Sequence, residues 1–148
     1  LGEMRLREFR PFLRGVRSRG EMIMSGHIVF PAVDPDRPAT LSRIFLTEIL
    51  RNELQFEGVL FSDDMEMQAI TDHFGAEDAP RLAVEAGCDA LIYRSEKATR
   101  HAYASLRKAL EDGTLAPERI LEAAERIDRN KRTTLGKYLV PDPATVPE

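Results

Sequence analysis

The fold is indicated most clearly by the sequence Phe56-Glu57-Gly58-Val59-Leu60-Phe61-Ser62-Asp63-Asp64-Met65-Glu66-Met67. Its apolar run from Val59 to Phe61 is typical of a buried β-strand and leads directly into a hydroxyl and two carboxylates. A buried strand that ends in acidic residues is how an α/β enzyme delivers a carboxylate to the edge of its sheet, where ligands bind. The spacing alone leaves two roles open for Asp63, a catalytic nucleophile or the N-cap of a helix.

Two further apolar runs, Met22–Met24 and Ala90–Tyr93, read as strands on either side of this one in the sequence. Short strands that are apolar on both faces and alternate with helices predict an α/β fold with a parallel sheet covered on both sides. The segment from Phe30 to Thr40 holds three prolines and is predicted to be a loop at the edge of a site. Helical spacing and end signals predict helices over 3–19, 42–50, 65–73, 76–86 and 96–111, and another that begins at Pro117.

The bulk composition is that of an ordinary globular domain. The chain has 148 residues, of which 43% are hydrophobic and 31% charged, enough for one domain with a real core. The net charge of −4 favours neither nucleic acid nor an anionic membrane as a partner. Cys88 is the single cysteine, so no internal disulfide can form. No apolar run is long enough to span a bilayer and no signal peptide opens the chain. The chain starts at Leu1 rather than Met, and any signal peptide would lie in sequence upstream of it; a cytoplasmic location is the expectation.

Several polar residues compete for roles at the same edge of the sheet. His27 follows the first strand, so it should lie near Asp63; we favour a hydrogen bond to the proline-rich loop, with substrate binding as the alternative. Asp64 is expected to accept backbone N–H bonds or to cap the following helix. Arg94 follows the third strand and is expected to be solvated. His73 and His101 are expected at the surface.

A metal site is not expected. Asp34 and Asp36 form one carboxylate pair and Asp63 and Asp64 another, but no His/Asp/Glu spacing around them is that of an enclosed site. We therefore predict no metal site.

Five ordered blocks of sequence resemble glycoside hydrolase family 3, and within it the bacterial β-N-acetylhexosaminidases. They resemble the patterns V-M-x-A-H-I-x-Y-P, P-A-T-L-S, L-R-x-x-L-G-F-x-G-V, S-D-D-L-x-M and A-G-x-D-x-L. The corresponding blocks here are 22–31, 38–42, 50–59, 61–67 and 86–91. The resemblance as a whole extends over about residues 8 to 131.

The resemblance implies a fold, an activity and a nucleophile. Residues 1–135 would form the C-terminal portion, about three βα units, of a (β/α)8 barrel, followed by an irregular tail over 136–148. Asp63 corresponds to the carboxylate at the end of the seventh barrel strand that attacks the sugar in a retaining hydrolysis. The reaction that the resemblance implies needs neither a metal nor an organic cofactor. The substrate would be a carbohydrate with terminal N-acetylglucosamine, from glycans or from cell-wall fragments in peptidoglycan recycling.

The chain departs from the family in one respect. It has nothing like the segment K-H-F-P-G-H-G-x-x-x-x-D-S-H, which in the family binds sugar and is followed by the His-Asp pair that serves as general acid/base. We therefore expect the chain to be a fragment that is inactive alone. A non-catalytic chain that only complements another chain is the alternative.

Open strand edges in such a piece predict self-association or pairing with an N-terminal half. A flavodoxin-like binding domain is disfavoured, because no strand end has a glycine-rich turn for phosphate.

Overall fold

The computed structural model describes residue 2 and residues 7–135. The predicted tail over 136–148, and the part of the predicted first helix at residues 3–6, lie outside the described residues. The strands are β1 (Met22–Met24), β2 (Val29–Phe30), β3 (Asp34–Pro38), β4 (Val59–Asp64) and β5 (Ala90–Ile92). The helices are α1 (Arg10–Arg17), α2 (Ile44–Glu53), α3 (Gln68–Ala86), α4 (Glu96–Glu111) and α5 (Pro117–Leu135).

Three strands form a parallel sheet in the order β1-β4-β5, so β4, which contains Asp63 and Asp64, is the central strand. Met22 lies opposite Val59, and Phe61 lies opposite Ala90. Val59 and Leu60 are almost completely buried, as expected for a strand covered on both faces. The predicted α/β fold with a parallel sheet is confirmed.

The sequence had predicted a loop for the proline-rich segment. The structure instead shows a short antiparallel ribbon of β2 and β3. Val29 lies opposite Pro38, with an irregular register between the two strands. The Ala39 N–H donates to the Ile28 carbonyl at 2.9 Å and closes the ribbon. Prolines are tolerated because a two-stranded ribbon has edges at which a missing N–H leaves no bond unmade. A single turn of 3₁₀-helix (Ala39–Leu41) then leads toward α2.

Two helices depart from regular α-helical winding. The wider turns of α2 are π-helical, and the Leu54 N–H that follows it bonds the Ile49 carbonyl, five residues back, at 2.8 Å. The long helix α3 contains Gly75 at φ 69° and ψ 154°, which breaks the helical path. The sequence had predicted a break between two helices at Phe74-Gly75, and this is where the helix bends.

The hydrophobic core lies between the sheet and the helices α2 and α3. Leu60 of the central strand, Leu41 after the ribbon and Ile70 of α3 are essentially inaccessible to solvent. A second, smaller cluster joins α3 to α4 and to the segment before α5 through Val84, Ala109 and Leu115.

Gly58 allows β4 to begin close against β1. The Val59 N–H donates to the Glu21 carbonyl at 2.9 Å. A Cβ atom at residue 58 would clash with that same Glu21 carbonyl and would lie 2.7 Å from Cζ of Phe56. Glycine is therefore required here by the close approach of two backbones.

One buried carboxylate organises the amino-terminal ends of the strands. Asp89, whose side chain is 0% exposed, accepts a hydrogen bond from Arg51 of α2 at 2.6 Å. From α5 it accepts bonds from Arg119 at 2.9 Å and Arg126 at 3.0 Å. The Leu60 N–H of β4 donates to the same carboxylate at 3.0 Å. Burial lowers the pKa of Arg51, and the charge of Asp89 opposes that effect.

The outer edge of β1 has no strand partner among the residues the structure describes. Met22 and Met24 are 54% and 57% exposed, and Ile28 is 58% exposed. Beside this edge runs an apolar groove, lined among others by Phe9, Phe12, Ile23 and Phe30. Within residues 7–135 no helix has the length and apolar character needed to cross a membrane.

Replacing Asp89 with asparagine should destabilise the fold by about 3 kcal/mol, because it leaves three partly buried guanidinium groups without their counter-charge. Urea unfolding of Asp89→Asn, with an unchanged slope, measures the loss. The matched control is Asp128→Asn on the exposed face of α5, which should change the unfolding free energy by less than about 0.5 kcal/mol. Equal effects of the two substitutions would contradict the anchoring role of Asp89.

Candidate active site

Asp63 lies near the carboxyl end of β4, flanked by the corresponding ends of β1 and β5. Because the three strands are parallel, their carboxyl ends meet at one edge of the sheet. The Ser25 N–H just after β1 donates to the Phe61 carbonyl at 2.9 Å, and the Met65 N–H just after β4 donates to the Ile92 carbonyl at 2.9 Å. These bonds extend the sheet to the point where the acidic residues begin.

The Asp63 carboxylate is half-buried and does not cap a helix. Its Oδ1 accepts a bond from the Asp64 N–H at 2.7 Å, the one hydrogen bond found for this carboxylate within residues 7–135. Helix α3 begins only at Gln68, after Met67, and no side chain caps it. Of the two roles that the sequence left open, the N-cap is therefore excluded by the position of the helix.

Asp64 has the structural contacts that the sequence analysis expected of it. Its Oδ1 accepts a bond from the Glu66 N–H at 2.9 Å. Its Oδ2 lies 2.5 Å from Nε of Arg94, which follows β5. Arg94 is thus paired with Asp64, although most of its side chain remains exposed.

Glu66 joins the loop after β4 to the start of α4. Its Oε2 accepts bonds from the N–H groups of Arg94 at 2.8 Å and Ser95 at 2.9 Å, and its Oε1 accepts the Ser95 hydroxyl at 2.5 Å. The Ser95 hydroxyl, followed by the Arg94 and Ser95 N–H bonds, lowers the pKa of Glu66. The sequence analysis missed this contact, which joins residues 29 positions apart.

Ser62 is a second residue that the sequence analysis did not assign. Its side chain is completely buried, and its Oγ accepts a bond from the Ile92 N–H at 2.9 Å. The pairing of β4 with β5 shifts register between Phe61 and Asp64, and this bond satisfies a strand N–H at the irregularity. The available signal was a hydroxyl that directly follows an apolar run.

His27 contacts the protein through both ring nitrogens. Nδ1 lies 2.9 Å from Oγ1 of Thr40, and Nε2 lies 2.9 Å from the backbone carbonyl oxygen of Asp64. Oγ1 of Thr40 lies in turn 2.9 Å from Oγ of Ser25. His27 therefore bridges the end of the proline-rich segment and the loop that carries Asp63. Binding of substrate by His27 stays a prediction.

The other two histidines are surface residues. His73 and His101 are exposed, on α3 and α4 respectively, as expected. Across the described residues, 2 and 7–135, no three His, Cys, Asp or Glu side chains come together as metal ligands would.

The fold and the site together define a class of protein. An α/β domain that presents a carboxylate at the carboxyl ends of parallel strands is built like part of a barrel enzyme, with its ligand site at that edge. A family model described as the glycosyl hydrolase family 3 N terminal domain matches residues 2–130. The chain belongs to this family, and the resemblance drawn from its motifs is confirmed.

Curated and solved relatives agree with that assignment. The chain is 38% identical over 98 residues to a beta-hexosaminidase of Idiomarina loihiensis, an alignment that covers 66% of this chain and 29% of the relative. It matches the glycoside hydrolase family 3 beta-N-acetylglucosaminidase from Paenibacillus sp. str. FPU-7 with a TM-score of 0.81 and 35% identity, over 84% of this chain and 24% of that one. CbsA from Thermotoga neapolitana matches with a TM-score of 0.83 and 36% identity, over 87% and 29% of the two chains. The chain thus spans less than a third of these proteins' lengths.

Removing the Ser95 hydroxyl should raise the pKa of Glu66 toward its ordinary value of 4.5, because that bond is the largest cause of the lowered pKa. Since the folded-state pKa is lowered, the stability that Glu66 contributes is complete above about pH 4.5 and is lost as the pH falls through the folded pKa. Carbon NMR of the Glu66 carboxylate in Ser95→Ala measures the shift. Ser105→Ala, in the same helix, is the control and should leave the titration unchanged. A Glu66 midpoint at 4.5 in the unaltered chain would contradict the effect of the Ser95 hydroxyl on this pKa.

Proposed function

We propose that Asp63 is the nucleophile of a retaining β-N-acetylhexosaminidase that removes terminal N-acetylglucosamine from glycans or cell-wall fragments. The observation that carries the proposal is a half-exposed carboxylate at the carboxyl end of the central parallel strand, with one backbone N–H bond and no capping role. The sugar is supported by relatives named beta-hexosaminidase and beta-N-acetylglucosaminidase.

The chemistry needs an ionised carboxylate with free lone pairs. An Asp63 oxygen attacks the anomeric carbon while the bond from that carbon to the leaving oxygen breaks and an acid protonates the leaving group. Water, deprotonated by the same group, then attacks the glycosyl ester and frees both the sugar and the carboxylate. The Asp64 N–H bonds Oδ1 of Asp63 and leaves Oδ2 available for attack.

The acid/base of this reaction has no candidate among the described residues around Asp63. Both nitrogens of His27 bond the protein, and the carboxylates of Asp64 and Glu66 are held by Arg94 and Ser95. We therefore propose that the acid comes from sequence outside this chain and that the chain alone does not turn over substrate. A role in peptidoglycan recycling and a cytoplasmic location follow from the same assignment and remain part of the proposal.

Release of nitrophenol from a nitrophenyl N-acetylglucosaminide tests this proposal. We expect no turnover by the chain alone, and turnover when it is mixed with the part of a family 3 beta-hexosaminidase that precedes the matching stretch. Asp63→Ala should lower the rate of the mixture by about 10⁴-fold. Mass spectrometry of quenched reactions should find one hexosamine on the peptide that contains Asp63.

The control for this assay is Asp36→Ala, which removes an exposed carboxylate of the proline-rich ribbon and should leave the rate unchanged. Asp63-dependent turnover by the chain alone would contradict the proposal that the acid comes from sequence outside this chain. If the mixture still turns over substrate when Asp63 is replaced by alanine, Asp63 is not the nucleophile.

A second candidate is a non-catalytic chain that only completes another chain's barrel. The unpaired edge of β1 and the apolar groove beside it favour it, because an open parallel edge with exposed apolar side chains is a pairing surface. The same surface serves association in the catalytic case, so activity of the mixture separates the two candidates.

Sedimentation velocity tests the pairing surface directly. The chain should sediment as an associated species at micromolar concentration, and Met24→Lys should shift it toward the monomer by placing a charge on the exposed edge. The matched control is Leu121→Lys, at a side chain of α5 that is 62% exposed and distant in sequence from β1. A compact monomer of the unaltered chain would contradict the prediction.

A further inference from the structure

The backbone of Asp64 stands between the proposed nucleophile and His27. The Asp64 N–H donates to Oδ1 of Asp63 at 2.7 Å, and the Asp64 carbonyl oxygen lies 2.9 Å from Nε2 of His27. Its carboxylate is held separately, by the Glu66 N–H at 2.9 Å and by Arg94. The Met67 N–H also donates to the Asp64 carbonyl, at 3.1 Å. Five contacts therefore fix one residue, and one of them reaches Asp63 directly.

Ser25, Thr40, His27 and the Asp64 carbonyl form a row of hydrogen bonds, here called the relay. The chemistry of each partner determines which atom donates in each bond. A carbonyl oxygen can only accept, so Nε2 of His27 must carry the proton of that bond. In the neutral ring Nδ1 is then an acceptor, and the Thr40 hydroxyl is the donor that faces it. Thr40 has one hydroxyl proton, so Ser25 must donate to Thr40 in the remaining contact.

The row joins three separate parts of the chain. Ser25 follows β1, Thr40 is completely buried in the 3₁₀ turn, and Asp64 ends β4. The Thr40 N–H bonds the Gly26 carbonyl at 3.3 Å, which holds the hydroxyl near the end of β1. The ring of His27 is thereby oriented from the side opposite to Asp64.

We propose that His27 is a positioning residue, which as the neutral Nε2–H tautomer, held by Ser25 and Thr40, fixes the Asp64 backbone and through it the orientation of the Asp63 carboxylate. The effect on turnover rests on the proposed function of Asp63, whereas the relay itself does not. His27 acts through Asp64 and touches no reacting atom. Its role is distinct from the substrate contact that the sequence left open.

Two isosteric substitutions separate the two ends of the ring. His27→Gln places an amide N–H near the position of Nε2 and keeps a donor for the Asp64 carbonyl. His27→Asn places its amide near Nδ1 and loses that donor. In the mixture that turns over substrate, we expect His27→Asn to lower kcat by about 10² with little change in KM, because a small displacement of a reacting group costs that much. His27→Gln should retain most of kcat, and His73→Asn on the exposed face of α3 should retain all of it.

Nitrogen NMR of the His27 ring, recorded on this chain without substrate, tests the relay independently of any activity. We expect the Nε2–H tautomer in the unaltered chain and in Thr40→Ser. In Thr40→Val the ring should no longer hold this single tautomer. An Nδ1–H tautomer, or a ring insensitive to Thr40→Val, would overturn the relay. A rise in KM with unchanged kcat in His27→Asn would overturn positioning in favour of substrate contact. If no mixture turns over substrate, the proposed function fails while the NMR result still decides the relay.

Discussion

The fold depends on one fully buried carboxylate, that of Asp89. It receives Arg51 from α2, two arginines from α5 and the Leu60 N–H from β4, so it orients two helices and the central strand about a single point. Apolar packing is non-directional and would allow these elements to slide, whereas charged hydrogen bonds of 2.6 to 3.0 Å do not. A buried charge is tolerated only when it is paired, and the cluster therefore forms as a unit.

The opposite ends of the same strands carry the proposed site, which is held by a different kind of contact. Beyond the last ladder bonds, the loop after β4 is fixed by side chains that bond backbone groups, namely Ser62, Glu66 and His27. These directional bonds can hold Asp63 in place while leaving its carboxylate half-exposed. A nucleophile needs both properties, because it must be oriented and still be reached by a substrate.

Sequence patterns were sufficient for the elements and insufficient for some of their contacts. The strand at 59–61 and the helix at 96–111 follow from local periodicity, and both are observed. The ribbon of β2 and β3 was missed, because prolines that suit a loop also suit the edge of a two-stranded ribbon. The bond of Glu66 to Ser95 was missed because nothing local brings together residues 29 positions apart.

Local periodicity and ordered motifs were enough to specify the parallel α/β fold and the family, because both are written in short stretches of sequence. The same motifs support the proposal that Asp63 is the nucleophile. Only the tertiary structure decided that Asp63 does not cap a helix, since that depends on where α3 begins. Only the tertiary structure brought His27 to the Asp64 carbonyl, 37 residues away. Contacts of this kind depend on how strands align and loops return, which no local pattern specifies.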